Sequence, residues 1–239
     1  TRVFGVYEDL LGNEWILSDN GLGMLTAGQT TPTSYFVDAA EREKKGGQAF
    51  YSCLEYNSEI YFGSDNGRVW CYQKENGQFQ LQNLPASSRI VSINSVEGNE
   101  LIFTTAKDGF FSYQPKTKAI EHFPASRFPN ASIHSVYVDK ASEVWFEQHI
   151  PGTVVHFNPR TRILKQEKVP VEPTSTDRSR PAFHIHEDIN GVLWVHPYGG
   201  GFSYFDRKSN SLHPFYNSLS GSDWRFSNKI HAAFSDRQG

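Results

Sequence analysis

The sequence predicts an all-β fold assembled from repeated four-stranded antiparallel meanders, and three observations carry that prediction. Apolar residues alternate with polar ones in short runs bounded by Gly, Asn, Asp and Pro, the period of half-buried strands rather than of helices. The dipeptides Asn20-Gly21, Asn66-Gly67 and Asp108-Gly109 mark tight hairpins, because such turns need positive φ and glycine reaches it without steric cost. The third observation is internal similarity. Residues 183–206, FHIHEDINGVLWVHPYGGGFSYFD, read as strand, turn, strand, turn, strand, and this pattern recurs along the chain.

Taking Trp194 as anchor, the corresponding positions are Trp15, Tyr61, Ile102 and Trp145, spaced 41 to 49 residues apart. Six residues before each anchor stand Asp9, Glu55, Val96, Asp139 and Asp188. The repeated Asp is expected to close an Asx-turn with its own side chain. A glycine follows each anchor at Gly21, Gly67, Gly109, Gly152 and Gly201, and an aromatic closes the third strand at Tyr72, Tyr113, Phe157 and Tyr204, with Leu25 in the first copy. Turn clusters such as Glu75-Asn76-Gly77 and Asp206-Arg207-Lys208 lead into a fourth strand containing Phe79, Phe123, Ile163-Leu164 or Phe215. Four strands in roughly 40–50 residues, repeated, make the blades of a β-propeller. The reading is one propeller fragment over 1–239, with blades at about 1–37, 49–82, 89–123, 132–166 and 182–216. A further blade is expected to start at 228–239, where Asp236 and Gly239 match Asp188 and Gly191, so the ring is expected to be incomplete.

Two connections stand out. In 27–48, Ser34–Val37 is expected as the fourth strand and 38–45 as a short exposed helical turn. In 167–181, Pro, Thr, Ser and Arg dominate, which suits a rim loop. Lys and Arg total 23 against 26 Asp and Glu, so the net charge of −3 provides no electrostatic footprint for nucleic acid. No run approaches the ~20 apolar residues that cross a bilayer as a helix. Cys53 and Cys71 are expected on the first and third strands of one blade, about 10 Å apart and too far for a disulfide. A start at Thr1 and a single Met suit a piece of a longer chain.

The run Asp188-Ile189-Asn190-Gly191-Val192-Leu193-Trp194-Val195, followed by 198–206, YGGGFSYFD, resembles the repeat of periplasmic two-component-regulator propellers, as do 13–22 and 60–67. That repeat combines an acidic residue, a glycine turn, a Leu-Trp strand and a Gly-Gly-aromatic strand. The third and fourth copies depart from it at Val96 and Ile102 and at 148–151. The resemblance implies the periplasmic sensor region of a hybrid two-component histidine kinase and response regulator, anchored in the inner membrane by segments outside this stretch. It further implies no catalysis by the fragment, a homodimer in the full-length protein, and an oligosaccharide or other small molecule as ligand.

Ligands of propellers meet the face where the hairpins between second and third strands converge with the connections between blades. Those hairpins supply Asn20, Asp65, Lys107, His149 and Tyr198; the connections supply Arg89, Arg127, Arg180, Trp224 and Arg225. Aromatic faces and planar donors from Arg, Asn and Asp suit sugars. The candidate ligand-binding set is therefore Tyr198, Trp224, Arg225, Arg180, His149, Lys107, Asp65 and Asn20. His184, His186 and His196 share one sheet face, but no carboxylate is spaced to complete a metal shell, so neither metal nor cofactor is expected. The alternative function is a secreted propeller enzyme, a polysaccharide or lactone lyase or a glycosidase, which needs convergent His, Tyr and carboxylates at the channel mouth.

Overall fold

The computed structural model describes residues 1–37, 49–129, 133–148, 153–169, 183–197 and 202–215. They form five four-stranded antiparallel sheets, each with its strands in chain order, and a single 3-10 turn at Ala125–Arg127. The expected helical turn at 38–45, the rim loop from 170 onward and the further blade at 228–239 lie outside the described residues. The chain divides into two compact units, Thr1–Ala125 and Ser126–Gly239.

The first unit holds three sheets. Sheet one is β1 (Val3–Glu8), β2 (Glu14–Ser18), β3 (Gly21–Leu25) and β4 (Thr33–Tyr35). Sheet two is β5 (Phe50–Tyr56), β6 (Glu59–Ser64), β7 (Val69–Gln73) and β8 (Gln78–Gln82), and sheet three is β9 (Ile90–Val96), β10 (Glu100–Thr105), β11 (Gly109–Gln114) and β12 (Ala119–Pro124). The fourth strand of sheet one ends earlier than expected, since Phe36 turns out of it at φ 59°.

Period-2 alternation decides which neighbour each side chain meets. Along β6, Ile60 and Phe62 join Trp15, Leu17, Leu22, Phe36 and Phe50 between sheets one and two. Tyr61, on the opposite face, joins Val69, Cys71, Ile90, Ile93, Leu101, Phe103, Phe111 and Tyr113 between sheets two and three. Trp15 is fully buried, with Phe62 at 5.0 Å and Tyr72 edge-on at 4.8 Å. Sheets approach through β1–β5, β2–β5, β5–β9 and β6–β9, so first strands lie innermost, whereas β8 and β12 keep mostly exposed residues at the outer edge. Cys53 and Cys71 are free, and burial pushes both thiols up to about 12.

The second unit holds β13 (Ile133–Val138), β14 (Val144–Gln148), β15 (Thr153–Asn158) and β16 (Ile163–Lys168), then β17 (Phe183–Glu187), β18 (Leu193–Pro197), β19 (Phe202–Asp206) and β20 (Ser211–Phe215). Trp145, Val154 and Val169 pack on Ile185, Leu193, Val195, Phe205 and Leu212 between these two sheets.

The repeated Asp does what its spacing implies in three copies. Asp9, Asp139 and Asp188 each accept through Oδ1 from the N–H groups two and four residues on, at 2.9–3.0 Å, and through Oδ2 from the anchor indole Nε1 at 2.9–3.1 Å. Glu55 does not share that role. The β5–β6 turn is a residue shorter, closed by Asn57 and Ser58 at φ 51° and 65°, so Glu55 sits in the strand opposite Ile60. Its carboxylate instead accepts from the Leu10 N–H of sheet one at 2.8 Å and pairs with Lys74 Nζ at 2.5 Å.

That pairing is half of a latch between neighbouring sheets. Lys74, in the turn after β7, also reaches Asp9 Oδ2 at 3.7 Å. The second unit repeats the geometry with other residues: Arg207, after β19, meets Asp139 Oδ2 at 3.0 Å and Glu187 Oε1 at 3.4 Å, and Glu187 accepts from the Lys140 N–H at 2.7 Å. A cation from one sheet therefore closes the acid-indole turn of the sheet before it. Asp9 and Asp139 are 4% exposed, and charges so buried persist only when paired and hydrogen-bonded.

Candidate functional site

The end of each sheet opposite the latch is built differently. There the first strand enters beside the hairpin joining second and third strands. In three copies one backbone bond ties the two: Asp19 N–H to Arg2 O at 3.0 Å, Asp65 N–H to Ala49 O at 3.0 Å, and Ala106 N–H to Arg89 O at 2.9 Å. Just inside this tie the ladder breaks. Val3 pairs with Ser18 and Gly5 with Leu17, leaving Phe4 unpaired; Phe50 and Ser52 likewise bracket Tyr51, Ile90 and Ser92 bracket Val91, and Ile133 and Ser135 bracket His134. Four of the five sheets thus carry a β-bulge at the same phase. A bulge kinks the strand and re-aims the extra side chain, which is why bulges gather at binding and active sites.

In the first unit these re-aimed residues meet across sheets. The Phe4 and Tyr51 rings stack at 4.3 Å with an interplanar angle of 29°. The Arg2 guanidinium lies over Phe4 at 5.4 Å and the Arg89 guanidinium over Tyr51 at 4.9 Å. The result is a four-layer stack, Arg2, Phe4, Tyr51, Arg89, spanning the innermost strands of three sheets. Both arginines are exposed and both rings half-buried.

Of the sequence-derived candidates, Asn20, Asp65 and Lys107 sit on the hairpins at this end. Asn20 donates its N–H to Ser18 Oγ at 3.1 Å, and exposed Lys107 donates its N–H to Ser88 Oγ at 3.0 Å. Asp65 Oδ1 is buried without a hydrogen-bond partner, and burial raises its carboxyl pKa. A carboxylate oxygen held dry and unpaired is an acceptor suited to a ligand hydroxyl or an ordered water. Asp108, one residue beyond Lys107, has its pKa raised by burial but lowered more strongly by the Ser87 and Ser88 donors, the balance being downward. Tyr198, Trp224, Arg225, Arg180 and His149 lie outside the described residues.

Sequence reasoning missed Phe4, Tyr51 and Arg2. A signal was present: Phe4-Gly5, Tyr51-Ser52, Val91-Ser92 and His134-Ser135 each place a larger residue before a small one, ten or eleven positions ahead of the anchor. The fifth copy has Phe183-His184 there, and its β17–β18 ladder runs without a bulge.

Two other features were weighed as sites. A cavity of about 220 Å³ is lined by Asn57, Ser58, Glu59, Gln73, Lys74, Glu75 and Asn76. It lies at the latch end, and its one cation is already committed to Glu55 and Asp9. On the fifth sheet the His184 and His186 rings lie 5.5 Å and 5.9 Å from His196. Among the described residues no group of His, Cys, Asp and Glu is arranged to hold a metal ion. Burial above all, with His184 and His186 adding repulsion, pushes His196 down to about 4, and burial also lowers His186. The unfolded imidazole takes its proton near pH 6.5, so this stability is complete above that pH and lost as pH falls toward 4. Urea unfolding at pH 7 and pH 4.5 is expected to show a loss on the order of 2 kcal/mol that His196→Asn flattens; an unchanged slope in the variant would contradict it.

No family model matches the sequence, and no curated protein is similar to it at the level of sequence. Solved structures are similar in fold. The extracellular domain of BT4673 from B. thetaiotaomicron, described as a one component system, superimposes with TM-score 0.64 at 16% identity over 90% of this chain and 28% of that one. The extracellular domain of BT3049 from B. thetaiotaomicron, described as a hybrid two component system, gives 0.63 at 14% identity over 88% and 29%. Virginiamycin B lyase from Staphylococcus aureus gives 0.66 at 18% identity over 98% and 74%. The chain spans under a third of the two signalling domains. Its five antiparallel meanders have the β-propeller fold, one that the chain shares with extracellular domains of these signalling systems, as its repeats lead one to expect.

Proposed function

We propose that this chain is part of the extracytoplasmic sensor region of a hybrid two-component signalling protein, binding an oligosaccharide or related small molecule and leaving catalysis to a histidine kinase elsewhere in the polypeptide. The observation that carries the reading is the shared bulge: strands that could have stayed regular instead turn Phe4, Tyr51, Val91 and His134 out of the ladder. At the same end of the first unit's sheets the unpaired Asp65 oxygen, Asn20 and Lys107 present an acceptor, an amide and a cation. The fold likeness to two signalling extracellular domains supports the same reading, as does the repeat resemblance. On this proposal the region faces the periplasm and works as a homodimer whose packing shifts when ligand favours one arrangement. No helix among the described residues is long and apolar enough to cross a membrane, so the membrane link is assigned to other segments of the protein.

The proposal extends to a further blade whose first strand is 228–239. Among the described residues the Asp188 carboxylate bonds only its own turn and Trp194, and Trp194 is half-buried, whereas Trp15 and Trp145 are fully buried under the next sheet.

The second reading, a propeller lyase, is favoured by coverage of 74% of virginiamycin B lyase. One experiment separates the two. The full-length protein is melted against a panel of glycan fragments while the same mixtures are monitored for cleavage. A sensor is expected to gain several degrees of Tm with a ligand that is recovered intact, because binding to the native state alone stabilises by mass action. Turnover of the stabilising glycan would sink the sensor reading.

A further inference from the structure

We propose that the Arg2, Phe4, Tyr51, Arg89 stack is an anchor for oxyanions, and that the ligand is an oligosaccharide bearing carboxylate or sulfate groups. This rests on the oligosaccharide reading above and narrows it to a chemical class.

Neutral sugars bind proteins largely by laying their C–H faces on bare aromatic rings, the apolar side of an amphipathic contact. Here both rings of the stack are already engaged by a ring and a guanidinium. Phe4 meets both the Tyr51 ring and the Arg2 guanidinium, while Tyr51 meets both the Phe4 ring and the Arg89 guanidinium. What faces solvent is a pair of guanidinium groups at the two ends, both exposed.

Those two groups are held but not neutralised. Among the described residues neither guanidinium is in an ion pair, and each is fixed by its ring alone. Asp19, the carboxylate next to Arg2, spends Oδ1 on the Arg2 main-chain N–H at 2.8 Å. Asp108, on the hairpin tied to Arg89 through Ala106, accepts from Ser87 and Ser88 through both oxygens. An arginine fork presents planar paired donors that match carboxylate and sulfate oxygens, and a fork already seated over a ring loses less freedom on binding. Latch residue Arg207 shows the contrast, since its fork is consumed by Asp139 and Glu187.

The backbone supports the same purpose. Phe4 and Tyr51 hold the forks only because each is the extra residue of a bulge, and the residues carrying the forks, Arg2 and Arg89, are tied to the adjoining hairpins through their own carbonyls. Two fixed forks at the ends of one stack suit a ligand with repeated charges along a chain better than a single small anion. Exposed Lys107, on the hairpin bonded to Arg89 through Ala106, adds a third cation at this end.

The test uses the full-length protein and three probes: oligogalacturonides two to four residues long, the same oligomers with their carboxylates reduced to neutral galactose units, and inorganic sulfate. Binding is read by calorimetry at low and at physiological salt. The expected result is that the acidic oligomer binds at least ~10-fold tighter than its reduced counterpart, with affinity that falls as salt rises. Arg89→Gln and Arg2→Gln are each expected to weaken the acidic oligomer by about 10-fold, and Arg89→Lys, which keeps the charge but not the fork, by less. Unliganded melting of each variant verifies that the fold is retained, and Lys107→Gln serves as a second charge removal away from the stack. Equal affinity for acidic and reduced oligomers, or acidic binding untouched by both arginine replacements, overturns the inference and leaves the sensor reading standing. Failure of every probe to bind overturns it too, and the wider glycan panel then decides the sensor reading separately.

Discussion

Asp139→Ala is expected to cost roughly 3–5 kcal/mol of unfolding free energy, the range seen when one partner of a buried pair is removed. The carboxylate serves four donors: the Ala141 and Glu143 N–H groups, Trp145 Nε1 and Arg207. Asp139 is 4% exposed, so water cannot replace those bonds, and each orphaned buried donor costs about 1–3 kcal/mol. Asp188 makes the same turn and indole bonds, but among the described residues its carboxylate meets no cation, and it is less buried. Asp188→Ala in the 239-residue chain is therefore expected to cost only about 1–2 kcal/mol, close to the loss of a capping side chain. Urea midpoints of the two variants measure the difference. Equal losses in that chain would show that the latch adds nothing to the turn.

Much of this architecture was legible in the residues because the turn chemistry is local. An Asp whose side chain caps its own turn, a Trp six positions on that returns an N–H to it, and a glycine after the second strand all act within about a dozen residues, so their spacing survives in the sequence. Glu55 departs from the pattern for a reason that counting does not show. It occupies the Asp slot by counting, yet the two-residue turn at Asn57 and Ser58 shifts it into the strand, and its partners Leu10 and Lys74 come from elsewhere. The latch could not be read at all, since Lys74 to Asp9 and Arg207 to Asp139 bridge sheets and are 65 and 68 residues apart in the sequence.

The site was half legible for a related reason. Hairpin residues Asn20, Asp65 and Lys107 follow from glycine positions, which mark loops directly. Phe4 and Tyr51 read as ordinary members of an alternating strand, and only the ladder register reveals that each is the residue left over. Arg89 was visible as a connection residue, but its seat on Tyr51 depends on a bulge in another sheet. Local signals thus located the bulged end of the blades, while the chemistry presented there comes from juxtapositions between blades.

Gly109→Ala is expected to cost roughly 2–5 kcal/mol, and the comparison with Gly98→Ala separates its two causes. Both glycines have nearly the same left-handed backbone, φ 88° and 87°. A side chain in that region costs about 1–2 kcal/mol by itself. At Gly98 a new Cβ meets nothing within 4 Å, so its loss is expected to stay near that figure. At Gly109 the Cβ would fall 2.1 Å from the Phe123 carbonyl oxygen and 2.8 Å from the Ala125 nitrogen, both backbone atoms that cannot swing aside. Gly109 also pairs with Pro124, so relief requires moving the start of β11 away from β12 and opening that edge of the sheet. Overpacking of this kind adds about 1–3 kcal/mol to the strain. The two variants are compared by chemical unfolding, with amide exchange over β11 and β12 as the local readout. Matching losses, or exchange at β12 no faster in Gly109→Ala than in Gly98→Ala, would mean that the hairpin needs glycine for its φ alone and that the close approach of the fourth strand carries no energy.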